Sequence, residues 1–136
     1  MSGSASPGGT LVLDSEGLAK AVLRDRAVTG WLALARADDM RVITSAATLV
    51  EVIHPRIKRS ALEWTLSRLV IEPVTESIAR HAAALLSDAK LHGHKYAIDA
   101  MLSATALAAT GPVTILTSDP DDLTALCGSH ATVIKI

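Results

Sequence analysis

The sequence is poor in residues that form disulfides or stack on bases. Among its 136 residues there is one cysteine, Cys127, and there is no phenylalanine. A single cysteine excludes an internal disulfide and fits a reducing compartment, so we expect a cytoplasmic location. Aromatic residues make up only 2% of the chain. That scarcity argues against the RNA-binding folds that stack bases on aromatic platforms.

Strong net charge and long apolar runs are also missing. The formal net charge of −1 provides no global attraction to nucleic acid or membrane, so an anionic ligand would need a local basic patch or bound cations. Charged residues or Gly-Pro interrupt the apolar stretches, and we expect no signal peptide, transmembrane helix or membrane partner. What is present is a hydrophobic content of 49%, which suits the buried sheet of an α/β fold.

Short apolar segments alternate with stretches of helical periodicity. Residues 1–9 are rich in Gly, Ser and Pro and are predicted to form a disordered tail, whereas 10–136 are predicted to form one domain. The alternation predicts a mostly parallel sheet covered by helices. The predicted strands cover residues 10–13, 41–44, 69–72, 113–116 and 131–136.

A helix predicted over residues 96–109 contains one charged residue, Asp99. The remainder of this helix is almost wholly Ala, Leu, Ile, Met, Ser and Thr, which predicts burial on more than one side. An isolated buried carboxylate is costly unless it finds a partner, takes up a proton or binds a metal ion. The simplest alternative is a favourable interaction of Asp99 with the helix dipole.

Three further carboxylates are expected at one edge of the predicted sheet. Asp14 ends the first strand, Glu51 lies on the helix after the second, and Asp119 follows the strand end at 115–117. Because the carboxyl ends of parallel strands meet at one edge, these groups would repel one another unless cations neutralised them. Oxygen-only sites favour Mg²⁺ or Mn²⁺, and such ions promote phosphodiester cleavage. Taken singly, each carboxylate has an ordinary reading as a helix cap or a solvated residue.

Four segments resemble the signature blocks of a known family. They are LVLDS at 11–15, TLVEV at 48–52, AIDAMLSATAL at 97–107 and ILTSD at 115–119. In this order they resemble PIN domains, and within that family the VapC-type toxins of bacterial toxin–antitoxin modules. The third block is the most specific. The resemblance implies a three-layer α/β/α sandwich with a mostly parallel sheet.

The resemblance also implies an activity and its partners. The activity would be metal-dependent endoribonuclease cleavage that leaves a 5′-phosphate and a 3′-hydroxyl. A homodimer is implied, as is a cognate antitoxin whose C-terminal segment occupies the active-site groove. The implied ligands of Mg²⁺ or Mn²⁺ are Asp14, Glu51, Asp99 and Asp119, joined by Asp122, with Thr117 as a supporting polar residue.

Substrate contacts and one departure from the family pattern leave alternatives open. The candidate RNA-contacting residues are Arg56, Lys58, Arg59 and Lys95, for which the alternative is a solvated basic surface. Glu16 stands where the family usually has Asn or Ser, and its charge would add a ligand or disturb a contact. A non-catalytic PIN-like binding or assembly module is therefore the alternative function. A haloacid-dehalogenase-like phosphatase is disfavoured because the first block lacks the second Asp of that motif.

Other conspicuous residues have structural interpretations. Ser15 is predicted to cap the helix that follows the first strand. Trp64 is predicted to anchor the core, or to belong to a partner surface if it is exposed. His92 and His94 are predicted to lie in a solvated loop rather than to bind a transition metal.

Overall fold

The computed structural model describes residues 8–136. The predicted tail over residues 1–9 lies outside this range except for Gly8 and Gly9, and the Gly9 carbonyl accepts a hydrogen bond from the Arg41 amide at 3.1 Å. The strands are β1 (Thr10–Leu13), β2 (Arg41–Ser45), β3 (Val70–Glu72), β4 (Val113–Thr117) and β5 (Thr132–Lys135). They form one sheet in the order β3-β2-β1-β4-β5 with every pairing parallel.

Seven helices connect the strands in the described part of the chain. Short 3₁₀ turns at Ala46–Thr48 and Gly128–His130 lead into α3 and into β5. The helices are α1 (Ser15–Val22), α2 (Arg26–Ala37), α3 (Leu49–Val52), α4 (Arg59–Leu66), α5 (Glu76–Ala89), α6 (Gly93–Leu107) and α7 (Pro120–Cys127). Over residues 8–136 none of them combines the length and apolar content needed to cross a membrane.

The core lies on both faces of the sheet. In β1, Leu11 and Leu13 pack with α1–α4 on one face, while Val12 packs with α6 and α7 on the other. All three side chains are fully buried, as expected for a parallel strand covered on both sides. Helix α5 packs outside α6 through Ala82. The predicted three-layer sandwich is confirmed, and its described strands are all parallel.

Two helix starts differ from the sequence prediction. The residue that caps α1 is Asp14 rather than Ser15, because the Asp14 backbone is still extended and its carboxylate accepts the Gly17 amide hydrogen at 2.7 Å. Helix α6 begins at Gly93 rather than Tyr96. The break expected at residues 92–95 is instead a helical turn that joins the rest of α6 at a kink, where Tyr96 has φ −113° and ψ 15°.

The strand order creates a crevice beside β1. Strand β2, which follows β1 in the chain, lies on one side of β1, and the later strand β4 lies on the other side. In open α/β sheets, ligands bind where the strand order reverses in this way, just beyond the carboxyl ends of the strands. Leu13 pairs with Leu116 in register. The residues that follow them, Asp14 and Thr117, therefore lie side by side at the crevice.

Candidate metal centre

Asp14 is the most deeply buried carboxylate of the crevice. Its residue is only 6% exposed, and burial raises the pKa of its carboxyl. Hydrogen bonds from the Thr117 hydroxyl and the Gly17 amide partly offset that rise by stabilising the charged form. The negative charge of Glu16 raises the pKa further. Asp14 is thus held in place by hydrogen bonds while its charge lacks a compensating cation among these neighbours.

Thr117 connects Asp14 to the start of α7. Its Oγ1 accepts a hydrogen bond from the Asp119 amide at 2.9 Å, and its hydroxyl lies close enough to Asp14 to stabilise the charged carboxylate and lower its pKa. Asp119 is the N-cap residue of α7, and Asp122 lies in the first turn. A hydrogen bond with Asp119 raises the pKa of Asp122, since two close carboxylates favour sharing a proton. Thr117 therefore lies between two of the acidic positions of the crevice.

Glu51 reaches the crevice from α3. The Ser15 hydroxyl donates a hydrogen bond to its Oε1 at 2.5 Å. Ser15 is the residue directly after Asp14, so the first turn of α1 contacts Glu51 across the crevice. The sequence prediction that Ser15 caps α1 missed this contact, because the spacing of residues along the chain carries no information about which distant side chain faces the hydroxyl.

Asp99 shows that these groups are close in space. The pKa of Asp99 rises to about 6, first because the half-buried carboxyl loses part of its hydration and then because other carboxylates repel its charge. Those carboxylates, in decreasing order of effect, belong to Asp14, Asp122, Glu51 and Asp119. The acidic residues singled out from the sequence are therefore brought to one place by β1, α3, α6 and α7.

The donor set suits a hard divalent cation, although the side chains do not form a closed ligand shell. All of the groups are carboxylates, the ligands that Mg²⁺ and Mn²⁺ prefer. Nevertheless, no three His, Cys, Asp or Glu side chains within residues 8–136 are arranged to hold a metal ion. The carboxylates are close enough to repel one another, and side-chain rotation would have to bring their oxygens to a common ion. His92 and His94 are likewise not part of any such group within this range.

Comparison with known proteins identifies the family. Residues 11–127 match the PIN domain family. The chain is a PIN domain. PIN domains are generally nucleases that use divalent metals. No curated protein gives a match.

Three solved structures share the fold of this PIN domain. VapBC2 from Rickettsia felis, bound to a DNA fragment from its promoter, superposes with a TM-score of 0.68 at 16% identity, covering 93% of this chain and 98% of that one. FitAcB from Neisseria gonorrhoeae gives 0.59 at 26% identity, with 91% and 96% covered. A toxin–antitoxin complex from Klebsiella pneumoniae gives 0.63 at 22% identity, with 91% and 95% covered.

The basic residues suggested by the sequence are placed unevenly around the acidic crevice of the PIN domain. Arg56 and Lys58 line a cavity of about 730 Å³ that also includes Glu51. The positive charge of Lys95 offsets a small part of the rise in the pKa of Asp122 that Asp119 and burial cause, so Lys95 lies near the crevice. Arg59 does not line that cavity, and its guanidinium lies 4.0 Å from Glu63 on the exposed face of α4.

A second concave region, which the sequence analysis did not predict, lies between α2 and α4. This cavity of about 420 Å³, which we call the arginine groove, has an apolar lining and no acidic residue. The guanidinium groups of Arg24 and Arg68 lie 4.5 and 4.9 Å from the centre of the Trp64 ring. Trp64 is 47% exposed, so the partner-surface interpretation suits it better than that of a core anchor. The groove is lined chiefly by Arg24, Leu32, Arg36, Met40, Trp64 and Arg68.

Proposed function

We propose that this PIN domain is a metal-dependent endoribonuclease that uses Mg²⁺ or Mn²⁺. The observation that carries the proposal is the environment of Asp99, whose pKa is raised to about 6 by burial and by carboxylates from three other elements. A fold without a cation site has no reason to gather so many like charges, because their repulsion destabilises it. Membership of the PIN domain family supports a nuclease and a divalent metal.

Each carboxylate has a proposed part in the site. Asp14, Glu51, Asp99 and Asp119 would hold the ion or ions, and Asp122 would assist through its contact with Asp119. A divalent ion bound there lowers the pKa of a water molecule and stabilises charge on phosphate oxygens. Thr117 would hold the Asp119 backbone through a hydrogen bond and stabilise the charged form of Asp14. No side chain has to act as a nucleophile.

We propose that RNA is held mainly through its phosphates. Arg56 and Lys58 lie beside Glu51, and Lys95 lies beside Asp122, so cations flank the acidic crevice on two sides. Arg59, one residue beyond Lys58, would contact the backbone farther along the strand. Such contacts position a nucleic acid without reading its sequence. The products would be a 5′-phosphate and a 3′-hydroxyl.

The test is cleavage of structured RNA by purified protein with Mg²⁺, with Mn²⁺ and with EDTA. We expect cleavage with either ion, none with EDTA, and none from Asp99→Asn. Asp88→Asn is the matched control, because Asp88 is an exposed carboxylate on α5 and lies outside the crevice. Equal cleavage by Asp99→Asn and wild type would indicate a contaminating nuclease. Absence of both cleavage and Mn²⁺ binding would favour the non-catalytic module, which the extra charge of Glu16 beside Asp14 motivates.

We further propose that the enzyme is the cytoplasmic, homodimeric toxin of a VapBC-like pair, inhibited by a cognate antitoxin. Several structures with this fold are toxin–antitoxin complexes. The arginine groove supports a protein partner, because its apolar lining and three arginines suit an amphipathic segment with acidic flanks. Arg24 lines both this groove and the cavity beside Glu51, so a bound segment would extend toward the metal centre.

The antitoxin proposal has a genetic and a biochemical test. A small open reading frame next to this gene should encode a DNA-binding protein. Co-expression should yield a complex in which RNA cleavage is suppressed. Light scattering of the free protein should give the mass of a dimer. A neighbouring product that neither binds nor inhibits the protein would contradict the antitoxin proposal without affecting the nuclease proposal.

A further inference from the structure

We infer that Ser15 is a positioning residue that holds the Glu51 carboxylate within the carboxylate cluster. The carrying observation is the hydrogen bond from the Ser15 hydroxyl to Oε1 of Glu51 at 2.5 Å, which joins residues 36 positions apart. The holding role concerns the metal-free protein itself. Only its consequence for metal binding and cleavage rests on the proposed nuclease function.

The backbone beneath Glu51 is firmly fixed. The Thr48 hydroxyl donates to the Ser45 carbonyl at 2.8 Å and lies 2.9 Å from the Thr44 hydroxyl, which in turn donates to the Leu13 carbonyl at 2.7 Å. The side chain of Val52 is buried against the core. These contacts determine where the Glu51 Cα lies, but they do not determine where its carboxylate points.

The Glu51 side chain has little else to hold it. Glu51 is exposed, and within residues 8–136 its carboxylate forms no other hydrogen bond or salt bridge than the one with Ser15. A glutamate side chain loses rotamer entropy when it is ordered. Repulsion between Glu51 and Asp99 also favours rotation of Glu51 into solvent, yet its charge still acts on Asp99. Although it is open to solvent, the hydrogen bond from Ser15 is the one attractive contact of this carboxylate within residues 8–136, so we assign the inward orientation of Glu51 to it.

Ser15 is itself held in a rigid turn. The carboxylate of Asp14 caps this turn through the Gly17 amide at 2.7 Å. The turn also packs closely on β4, because a Cβ added to Gly17 would lie only 3.0 Å from the Leu116 carbonyl oxygen. The first turn of α1 therefore fixes two carboxylates: that of Asp14, which belongs to the turn, and that of Glu51, which accepts a hydrogen bond from the Ser15 hydroxyl. The hydroxyl, and not the size of the side chain, is the part that matters.

The first experiment measures the motion of the Glu51 side chain in metal-free protein by ¹³C NMR relaxation. We expect Ser15→Ala to lower the order of the Glu51 side chain to that of an exposed glutamate such as Glu63, which has only a 4.0 Å surface ion pair with Arg59, while Ser15→Thr keeps it near the wild-type value. Unchanged order in Ser15→Ala would overturn the inference. Ser15 is not the capping residue of α1, so both variants should fold, and their thermal unfolding midpoints verify this.

The second experiment measures Mn²⁺ affinity by calorimetry in a double-mutant cycle. We expect Ser15→Ala to weaken binding by about 10-fold, as is typical when a partner of a metal ligand is lost, and Ser15→Thr to restore it. In a Glu51→Ala background, Ser15→Ala should have no further effect. Equal weakening in both backgrounds would show that Ser15 does not act through Glu51. If wild type neither binds Mn²⁺ nor cleaves RNA, the nuclease proposal fails, and the NMR experiment still decides the inference.

Discussion

The carboxylate cluster and the arginine groove each gather charges of one sign, but in different physical settings. The carboxylates of the cluster lie at the ends of buried strands and on α6. Asp14 at the end of β1 is 6% exposed, and the charge of Asp99 on α6 is repelled by four other carboxylates. The arginines of the groove lie on helix surfaces around Trp64, and two of them already rest on its ring. Repulsion in the cluster is imposed by the backbone and calls for a cation. The arginines of the groove do not require a bound ligand, because two of them already contact the Trp64 ring. The groove can therefore stay unoccupied in the absence of an acidic partner.

Substitutions in the two regions should have different effects on the rate of RNA cleavage. We expect Asp14→Asn to reduce RNA cleavage by a factor of about 100 or more, since it removes a ligand charge at the point where transition-state charge is stabilised. The double variant Arg36→Glu/Arg68→Glu should cleave at nearly the wild-type rate, because these two arginines line the groove but not the cavity beside Glu51. Loss of cleavage in both variants would mean that the groove takes part in RNA binding.

Partner binding should show the opposite dependence. A suitable probe is a helical peptide with leucines on one face flanked by glutamates. We expect Arg36→Glu/Arg68→Glu to weaken its binding about 100-fold, because each reversed charge costs on the order of 1.4 kcal/mol. Arg59→Glu/Arg80→Glu is the matched control, since these arginines are exposed on α4 and α5. Binding is measured by fluorescence anisotropy for both variants. Similar weakening in the control would show that the peptide is attracted by the overall charge of the protein and not by the groove.

Removing one charge from the cluster should stabilise the protein when no metal is present. In EDTA we expect Asp99→Asn to raise the thermal unfolding midpoint by about 3–5 °C, since it removes a carboxylate whose ionisation is opposed by burial and repulsion. The same change at Asp88 should leave the midpoint unaltered. With Mn²⁺ present the order should reverse, because wild type alone gains from binding. A lower midpoint for Asp99→Asn in EDTA would show that the cluster is not repulsive.

The dependence of stability on pH should be the smallest of these effects. The pKa of Asp99 is about 6 in the folded protein against an ordinary value of 3.8, so the folded state binds this proton more tightly than the unfolded state. The stability that this proton contributes is therefore lost as the pH rises from about 3.8 to about 6, so metal-free stability should rise as the pH falls from about 7 to about 4.5, with most of the change below about pH 6.5. Urea unfolding should show this rise in wild type and a smaller one in Asp99→Asn. Identical profiles would contradict the shifted pKa.

The contrast between the regions also explains what the sequence could predict. The acidic cluster was foreseeable because parallel strands bring their carboxyl ends to one edge, so that Asp14 and Asp119 needed only correct strand assignments. The start of α6 was misplaced because Gly93 and the two histidines around it are weak helix formers, and their turn joins the rest of α6 through a non-helical backbone at Tyr96.

The arginine groove and the Ser15 contact were not foreseeable in this way. Arg24 lies just beyond α1 and has a positive φ of 61°. No motif in the sequence predicts this left-handed backbone conformation. The approach of Arg24 to Trp64 depends on how α1 packs against α4, which periodicity does not specify. The Ser15 hydroxyl faces Glu51 for a similar reason, since two helices far apart in the chain determine the distance between them.

The most direct measurement is diffraction from crystals soaked in MnCl₂, with data collected at the manganese absorption edge. We predict an anomalous peak in the crevice within about 2.5 Å of carboxylate oxygens of both Asp14 and Asp99, and its absence from crystals of Asp99→Asn. A crevice without a peak at millimolar Mn²⁺, or manganese bound only elsewhere on the molecule, would contradict the central proposal that these carboxylates form one metal centre.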